Sequence, residues 1–137
     1  MIPTALSRIL YVEDDPDIRG VAQMALEVLG GFTVLACGAG REALEPASLA
    51  FAPDMILLDV MMPDMDGPTT LMRLREQPQL AQTPAVFMTA KVEDDAVRFY
   101  LSMGVLGVIA KPFDPMLLSS QIRALWEAGA GAPVAPT

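Results

Sequence analysis

Residues 55–67 read Met55-Ile56-Leu57-Leu58-Asp59-Val60-Met61-Met62-Pro63-Asp64-Met65-Asp66-Gly67. Four consecutive apolar residues that lead to Asp59 are typical of a strand buried on both faces of a parallel sheet. The proline, aspartate and glycine residues that follow favour a loop. Asp59 is therefore expected at the carboxyl end of a central strand, which is the edge where open α/β sheets bind their ligands. The same residue could also end the strand without any chemistry, so the other strand ends have to be considered with it.

The composition is that of a single globular domain. The 137 residues are 53% hydrophobic and 19% charged, which supplies enough apolar material for one buried core. The net charge of −8 works against nucleic-acid binding, because phosphates would be repelled. Cys37 is the single cysteine, so no internal disulfide is possible and a reducing compartment is favoured. The sequence shows no signal-peptide core and no run of membrane-spanning length, so a cytoplasmic location is expected.

The chain contains no histidine. A histidine general base, a histidine-ligated metal and a phosphohistidine are therefore excluded within it. Any phosphoryl group that passes through a histidine must come from another protein.

Predicted strands and helices alternate along the chain. Short apolar runs predict strands at residues 8–12, 32–36, 55–59, 85–89 and 107–110. Apolar residues at helical spacing predict helices at 16–29, 41–49, 68–76 and 93–103, and a last helix that is capped at 114–115 and reaches residue 126. This alternation argues for a parallel sheet with helices on both faces. Residues 1–128 are predicted to form the domain, and the alanine-, glycine- and proline-rich residues 129–137 a disordered tail.

Polar side chains lie at the ends of four predicted strands. Glu13 and Asp14 follow the first strand, Asp59 and Thr89 end the third and fourth, and Lys111 follows the fifth. In a doubly wound sheet these ends share one edge. Three crowded carboxylates repel one another unless a cation lies between them, and Mg²⁺ prefers such oxygen ligands. With the metal bound, Asp59 could attack a phosphoryl group while Lys111 neutralises a second phosphoryl oxygen and Thr89 donates a hydrogen bond to a third.

The acidic residues also have purely structural interpretations. Asp15 and Asp17 are assigned to that role, as a helix cap and a first-turn acid. Asp64 and Asp66 are interpreted as loop acids, and Lys111 alone could be a solvated lysine. The coincidence of polar groups at four strand ends nevertheless favours the functional interpretation of the cluster.

Four segments carry a resemblance to a known family. They are Val12-Glu13-Asp14-Asp15-Pro16-Asp17-Ile18-Arg19, Asp59-Val60-Met61-Met62-Pro63-Asp64-Met65-Asp66-Gly67, Thr89-Ala90 and Lys111-Pro112-Phe113. Together they resemble the receiver domain of two-component response regulators over about residues 8–126, in a single-domain form like the chemotaxis receivers. The resemblance implies a flavodoxin-like α/β fold, doubly wound, with five parallel strands in the order 2-1-3-4-5.

The resemblance also implies roles for the site residues. Asp59 would accept a phosphoryl group from a partner's phosphohistidine. Glu13 and Asp14 would hold Mg²⁺ together with Asp59, and the backbone carbonyl of Met61 would be a further ligand. The Lys111-Pro112 bond would be a cis peptide, which is accessible in energy because the second residue is proline.

The chain departs from this family at several positions. Glu13 stands where aspartate is commoner, a change that keeps the charge. Val108 occupies a fifth-strand position that usually carries tyrosine or phenylalanine, so the aromatic readout of phosphorylation is missing. Leu106 and Gly107 replace a frequent acidic pair. Together with Val105, the side chains of Leu106 and Val108 would either form an apolar patch near the fourth helix or pack inward.

The function that the resemblance implies is a phosphorylation-dependent signalling switch in a two-component phosphorelay. Such a protein is a phosphoacceptor regulatory domain and not an enzyme that turns over a separate substrate. The expected partners are a sensor histidine kinase or a histidine phosphotransfer protein and a downstream protein effector, because too little chain follows Trp126 for an output domain. Nucleic acid and membrane are not expected as partners, and the expected assembly is a monomer or a weak homodimer.

Two alternative functions are kept. A degenerate receiver would bind partners without phosphorylation, an alternative that the departure at Val108 supports. An aspartyl-phosphate phosphatase of the haloacid dehalogenase type also uses a nucleophilic aspartate and magnesium. Its nucleophile, however, follows the first strand and precedes a second aspartate by two residues, whereas Asp59 follows the third strand and Met61 stands at the second position.

The receiver family also gives an expectation about phosphoryl lifetime. Met61 and Lys91 occupy the two positions that flank the path of the hydrolytic water in that family. A methionine side chain cannot orient a water molecule by hydrogen bonding. Slow self-dephosphorylation is therefore expected.

Overall fold

A five-stranded parallel sheet forms the centre of the molecule, in a computed structural model that describes residues 5–131. Its strands are β1 Arg8–Val12, β2 Thr33–Cys37, β3 Met55–Asp59, β4 Ala85–Thr89 and β5 Gly107–Ala110. They lie in the order β2-β1-β3-β4-β5, and all four pairings are parallel. The predicted flavodoxin-like fold, with its order 2-1-3-4-5, is confirmed.

Helices connect successive strands and cover both faces of the sheet. They are α1 Pro16–Met24, α2 Gly40–Ala43, α3 Pro46–Leu49, α4 Gly67–Arg75, α5 Asp94–Ser102 and α6 Leu118–Gly131. A π-helical turn, Ala25–Leu29, continues α1, and a short 3₁₀ turn, Pro78–Leu80, precedes β4. Within residues 5–131 the helices all fall short of the length and apolarity that a membrane span requires.

The core consists of two apolar layers, one on each face of the sheet. Alternate residues of the central strands supply both layers, because successive side chains of a strand point to opposite faces. Leu10 and Leu58 belong to the layer covered by α2 to α5, and Ile9 and Leu57 to the layer covered by α1 and α6. The central strand β3 is buried along its whole length, as its unbroken apolar run predicted.

The second predicted helix differs from the structure. The sequence predicted one helix over residues 41–49, but the chain forms α2 and α3 with a break at Glu45. Glu45 is extended (φ −69°, ψ 151°) because the ring of Pro46 disfavours helical geometry in the residue before it. Pro46 then becomes the first residue of α3, where its missing N–H costs nothing.

The second strand also differs slightly from its prediction. The predicted second strand, 32–36, is shifted by one residue, since β2 begins at Thr33. Phe32 belongs to the preceding turn because its backbone N–H donates to the carbonyl of Leu26 at 3.1 Å.

The last helix starts later and ends later than predicted. Asp114 caps the turn before α6, since its Oδ1 accepts from the N–H of Met116 at 2.9 Å and its carbonyl from Leu118 at 3.0 Å. The helix continues to Gly131, so residues 129–131 of the predicted disordered tail are helical. The Leu106 side chain lies directly against Gly129 and supports this extension. The remainder of the predicted tail, 132–137, lies outside the described residues.

Candidate functional site

The first wall of the site is the loop between β1 and α1. Glu13 is 1% exposed, and its backbone N–H donates to the carbonyl of Cys37 at the end of β2 (3.0 Å). Its Oε2 accepts from the N–H of Asp15 at 3.1 Å. Asp15 caps α1, because its Oδ1 accepts from the N–H groups of Asp17 and Ile18. The structural role predicted for Asp15 is therefore confirmed, while Glu13 faces inward.

The second wall is the end of β3. Asp59 is the last residue of that strand and is only 2% exposed. Gly67 lies so close behind it that a Cβ at this glycine would be 2.5 Å from the Asp59 carbonyl oxygen. Asp66 caps α4 through an Oδ1 that accepts from Thr69 (2.8 Å), and Asp64 lies exposed in the loop with φ 68°. The loop aspartates thus shape the turn, and Asp59 is the carboxylate that enters the site.

Lys111 joins these two walls. It follows β5, and the Lys111-Pro112 peptide is cis, as the resemblance implied. Its Nζ donates to Glu13 Oε1 at 2.9 Å and to Asp59 Oδ1 at 3.0 Å. With 16% of its side chain exposed, Lys111 is an ion-pair partner of both acids and not a solvated surface lysine.

Three carboxylates converge at this edge. Glu13, Asp14 and Asp59 each offer an oxygen, and the three oxygens lie within 4.8 Å of one another. They line an open cleft of about 240 Å³, together with Ile18, Met61, Ala90, Lys111 and Asp15. An all-oxygen donor set at this spacing suits a hard divalent cation, which would also relieve the repulsion between the acids. The residues present therefore fit a magnesium-type ion.

The electrostatics of the site follow from burial and crowding. Burial raises the pKa of Asp59 to about 6, with repulsion from Glu13 and Asp14 adding to the shift and the hydrogen bond from Lys111 opposing it. Burial acts to lower the pKa of Lys111, but its hydrogen bonds to Glu13 and Asp59 outweigh this and raise it. At neutral pH the lysine is charged, and Asp59 is held as a poorly compensated carboxylate.

Thr89 lies at the same edge but outside the cleft lining. It ends β4, is buried, and its Oγ1 accepts from the N–H of Lys91 at 3.0 Å. Its carbonyl accepts from the N–H of Lys111 at 2.9 Å. The structure thus brings Glu13, Asp14, Asp59 and Lys111 into contact range and places Thr89 beside them with its hydroxyl turned to Lys91.

Two further predicted positions have distinct surroundings. The side chain of Met61 lines the cleft and is 61% exposed; a ligand role for its backbone carbonyl stays a prediction. Val105 is buried, Val108 packs against the layer under α2 to α5, and Leu106 packs against the opposite layer. The inward-packing alternative for these three side chains is therefore the correct one.

One residue at the site was not singled out from the sequence. Arg19 Nη1 donates to the backbone carbonyl of Glu13 at 2.8 Å. Its position six residues after the acid, one turn into a helix, could have drawn attention, because a long side chain there can reach back over the helix start.

Comparisons with known proteins identify the family of the chain. The family model described as "Response regulator receiver domain" matches residues 9–123. Transcriptional regulatory protein CseB of Streptomyces avermitilis is 38% identical over 87% of this chain and 48% of the relative. CpxR of Escherichia coli is 35% identical over 88% and 49%. The chain thus spans about half the length of these curated relatives.

Solved structures show the same likeness. Chemotaxis response regulator CheY4 of Vibrio cholerae superposes with a TM-score of 0.78 at 30% identity, covering 88% of this chain and 99% of that one. A response regulator from Desulfuromonas acetoxidans gives a TM-score of 0.76 at 27% identity, over 88% and 97%.

Proposed function

The chain belongs to the response regulator receiver domain family of two-component systems, and on this premise we propose that it is a phosphorylation-dependent switch whose phosphoacceptor is Asp59. One observation carries the proposal: Asp59 is the buried carboxylate at the end of the central strand, and it is held by Lys111 within a cluster of three acids. The neighbouring aspartates have other roles, since Asp15 and Asp66 cap helices.

The acid cluster supports a magnesium-dependent reaction. Glu13, Asp14 and Asp59 would hold the ion through their carboxylates, and the backbone carbonyl of Met61 is proposed as a further ligand. When bound, Mg²⁺ would offset negative charge on the phosphoryl group and on the acids. It would also lower the pKa of Asp59 from about 6, so the attacking carboxylate would be fully ionised at neutral pH.

The protein residues then have separate tasks. An oxygen of Asp59 attacks the phosphorus of a phosphohistidine, the P–N bond breaks, and the electron pair leaves with the imidazole of the donor. Lys111, which already contacts Asp59, would neutralise a phosphoryl oxygen. Thr89 would donate a hydrogen bond from its hydroxyl to another phosphoryl oxygen, because that hydroxyl acts only as an acceptor from Lys91 in this conformation.

The proposed partners follow from the chemistry. Because the chain has no histidine, the phosphoryl donor is a separate sensor histidine kinase or histidine phosphotransfer protein. We propose a downstream protein effector that distinguishes the phosphorylated from the unphosphorylated surface. A cytoplasmic location remains part of the proposal, in line with the single cysteine of the chain.

The direct test is intact mass after incubation with acetyl phosphate and Mg²⁺. The parent and Asp64→Asn, which alters an exposed loop acid, are expected to gain one phosphoryl adduct. Asp59→Asn, or omission of the metal, should abolish it. If acetyl phosphate and a phosphohistidine donor both leave the parent unmodified, the proposal is wrong and a phosphorylation-independent binding module, the degenerate receiver suggested by Val108, becomes the better account.

A further inference from the structure

We propose that Arg19 is a positioning residue that fixes the directions of Glu13 and Asp14 and thereby sets the metal affinity of the site. This inference rests on the proposed function, because the affinity in question is that of the proposed magnesium site. It adds a residue that lies outside the cleft and touches neither the acids' carboxylates nor the reacting atoms.

The contacts of Arg19 are directed at the backbone of the β1–α1 loop. Its Nη1 donates to the Glu13 carbonyl at 2.8 Å, and its own N–H donates to the Asp15 carbonyl at 2.9 Å. The Glu13 N–H is held on its other side by Cys37. Both polar groups of the Glu13 backbone are therefore occupied, and the arginine supplies the bond on the side that faces α1.

A peptide plane that is held at its carbonyl is held as a whole. Because the peptide unit between Glu13 and Asp14 is planar, fixing the Glu13 carbonyl also fixes the direction of the Asp14 N–H. The path along which Asp14 leaves the strand is fixed with it. One side chain thus orients two of the three acids of the cluster.

Among the described residues, the guanidinium of Arg19 bonds to a backbone carbonyl and not to a carboxylate. Within residues 5–131 no carboxylate lies within 4.0 Å of its guanidinium nitrogens, so it bonds to a neutral carbonyl although the loop is rich in acids. Its positive charge therefore stays available to the acid cluster behind the peptide. A positive charge beside the Glu13–Asp14 peptide attracts both carboxylates.

Gly38 provides the space for this arrangement. A Cβ at Gly38 would lie 3.0 Å from Arg19 Nη1, and 3.7 Å from the Glu42 oxygen that accepts from the Gly38 N–H. The backbone of Gly38 has no positive φ, so alanine is compatible with its conformation. Alanine there should displace the guanidinium without removing it, which provides a second and independent perturbation.

The experiment is a titration with MgCl₂ alone, followed by the backbone amide signals of Glu13 and Asp14 in NMR spectra. Arg19→Gln should raise the dissociation constant for Mg²⁺ about tenfold, as loss of a group that orients metal ligands commonly does. Arg19→Lys keeps the charge but not the fork-shaped donor, so it should recover part of the loss. Arg98→Gln, which removes an exposed arginine paired with Asp95, should match the parent.

Gly38→Ala tests the geometry. Like Arg19→Gln, it should weaken magnesium binding. The double variant should bind Mg²⁺ no more weakly than the weaker-binding single variant, because both changes disrupt the same bond from Arg19 to Glu13. Fully additive effects would show that Gly38 acts separately and would overturn the proposed arrangement. Urea denaturation of each variant without metal checks that the fold persists.

A readout without metal separates this inference from the proposed function. In metal-free protein, Arg19→Gln should shift the ¹³C signals of the Glu13 carbonyl and carboxylate, and Arg98→Gln should not. Unchanged Glu13 signals would overturn the role of Arg19 whether or not the parent binds Mg²⁺. If Arg19→Gln shifts the Glu13 signals but the parent binds no Mg²⁺, the positioning contact is supported and the metal site is refuted. Equal magnesium affinities in the parent and Arg19→Gln would refute the effect on affinity.

Discussion

Asp59 combines deep burial with a nearby cation, and burial has the larger effect on its ionisation. Its pKa rises from the ordinary value of 3.8 to about 6 despite the bond from Lys111. Ionised Asp59 is therefore destabilising in the metal-free protein, a cost that a bound divalent cation would remove. Under the proposed function, the same carboxylate would bind the cation and react with an electrophilic phosphorus.

A pH-dependent stability follows at this residue. Because the folded pKa is raised, the contribution of Asp59 to stability is complete below about pH 4 and is lost as the pH rises through about 6. Asp59→Asn escapes this loss and should be more stable than the parent at pH 7.5, by at most about 3 kcal/mol. Urea denaturation in metal-free buffer at pH 4 and pH 7.5 measures the difference. A difference that grows toward low pH would contradict the assignment.

Met61 is expected to govern a second property of the site, the lifetime of the proposed phosphorylated state. Its thioether lines the cleft and offers water only a weak acceptor. Met61→Asn should speed loss of the phosphoryl group, on the order of tenfold, because an amide can orient the attacking water. The decay of the phosphorylated mass over time gives the rate. Met72→Asn is the control, since Met72 on α4 is 63% exposed against 61% for Met61; equal rates for the parent and Met61→Asn would refute the role.

At the scale of elements, the β3–α4 connection holds Asp59 in place by backbone contact. The Gly67 N–H donates to the Val60 carbonyl at 2.8 Å, and Gly67 begins α4 directly behind the strand end. Only a residue without a side chain allows this approach. The helix start is thus a rigid support for the proposed phosphoacceptor.

Gly67→Ala tests this support. The new Cβ would lie 2.5 Å from the Asp59 oxygen and 2.9 Å from Val60 Cα, both of which are backbone atoms. The strand end or the helix must therefore shift, and we expect a loss of about 1–3 kcal/mol in the free energy of unfolding. Gly20→Ala is the matched control, because nothing lies within 4 Å of a Cβ in that helix position; it should stabilise by roughly 0.5–1 kcal/mol. Urea denaturation of both variants measures these changes. An unchanged free energy of unfolding in Gly67→Ala would show that the close approach of Gly67 to the Asp59 and Val60 backbone does not constrain the strand end.

The elements also show why part of the structure could be predicted and part could not. The strands follow from apolar runs, and the meeting of Glu13 with Lys111, 98 residues apart, follows because parallel strand ends share an edge. The π-helical turn after α1 has no such local signal. Ser119 donates to the Ala25 carbonyl and Arg123 to the Gly30 carbonyl, from 94 and 93 residues away. Contacts of that kind, like the bond from Arg19 to Glu13, depend on packing that periodicity does not contain.

At the scale of the whole molecule, the acidic site lies at the edge of the central sheet in a strongly negative chain. The net charge is −8, and within the described residues Lys111 is the cation that directly pairs with Glu13 and Asp59. Glu13 follows β1 and Asp59 ends β3, and these two neighbouring strands supply side chains to both core layers. A cation that binds them would connect the centre of the sheet, so its binding energy should appear in global stability.

Magnesium is therefore expected to stabilise the entire domain against unfolding. Binding to the folded state alone adds RT ln(1 + [Mg²⁺]/Kd), which is about 2.7 kcal/mol at a concentration of one hundred times Kd. The gain should be larger at pH 7.5 than at pH 5, because protonated Asp59, with its pKa of about 6, is a poor ligand. Urea midpoints in MgCl₂ and in NaCl of equal ionic strength separate binding from screening.

Two variants serve as controls for this stabilisation. Glu13→Gln should lose most of the gain, and Glu76→Gln, which alters an exposed acid at the other end of α4, should keep it. An equal gain in NaCl, or in Glu13→Gln, would mean that the acid cluster binds no specific cation and that charge screening alone stabilises this acidic protein.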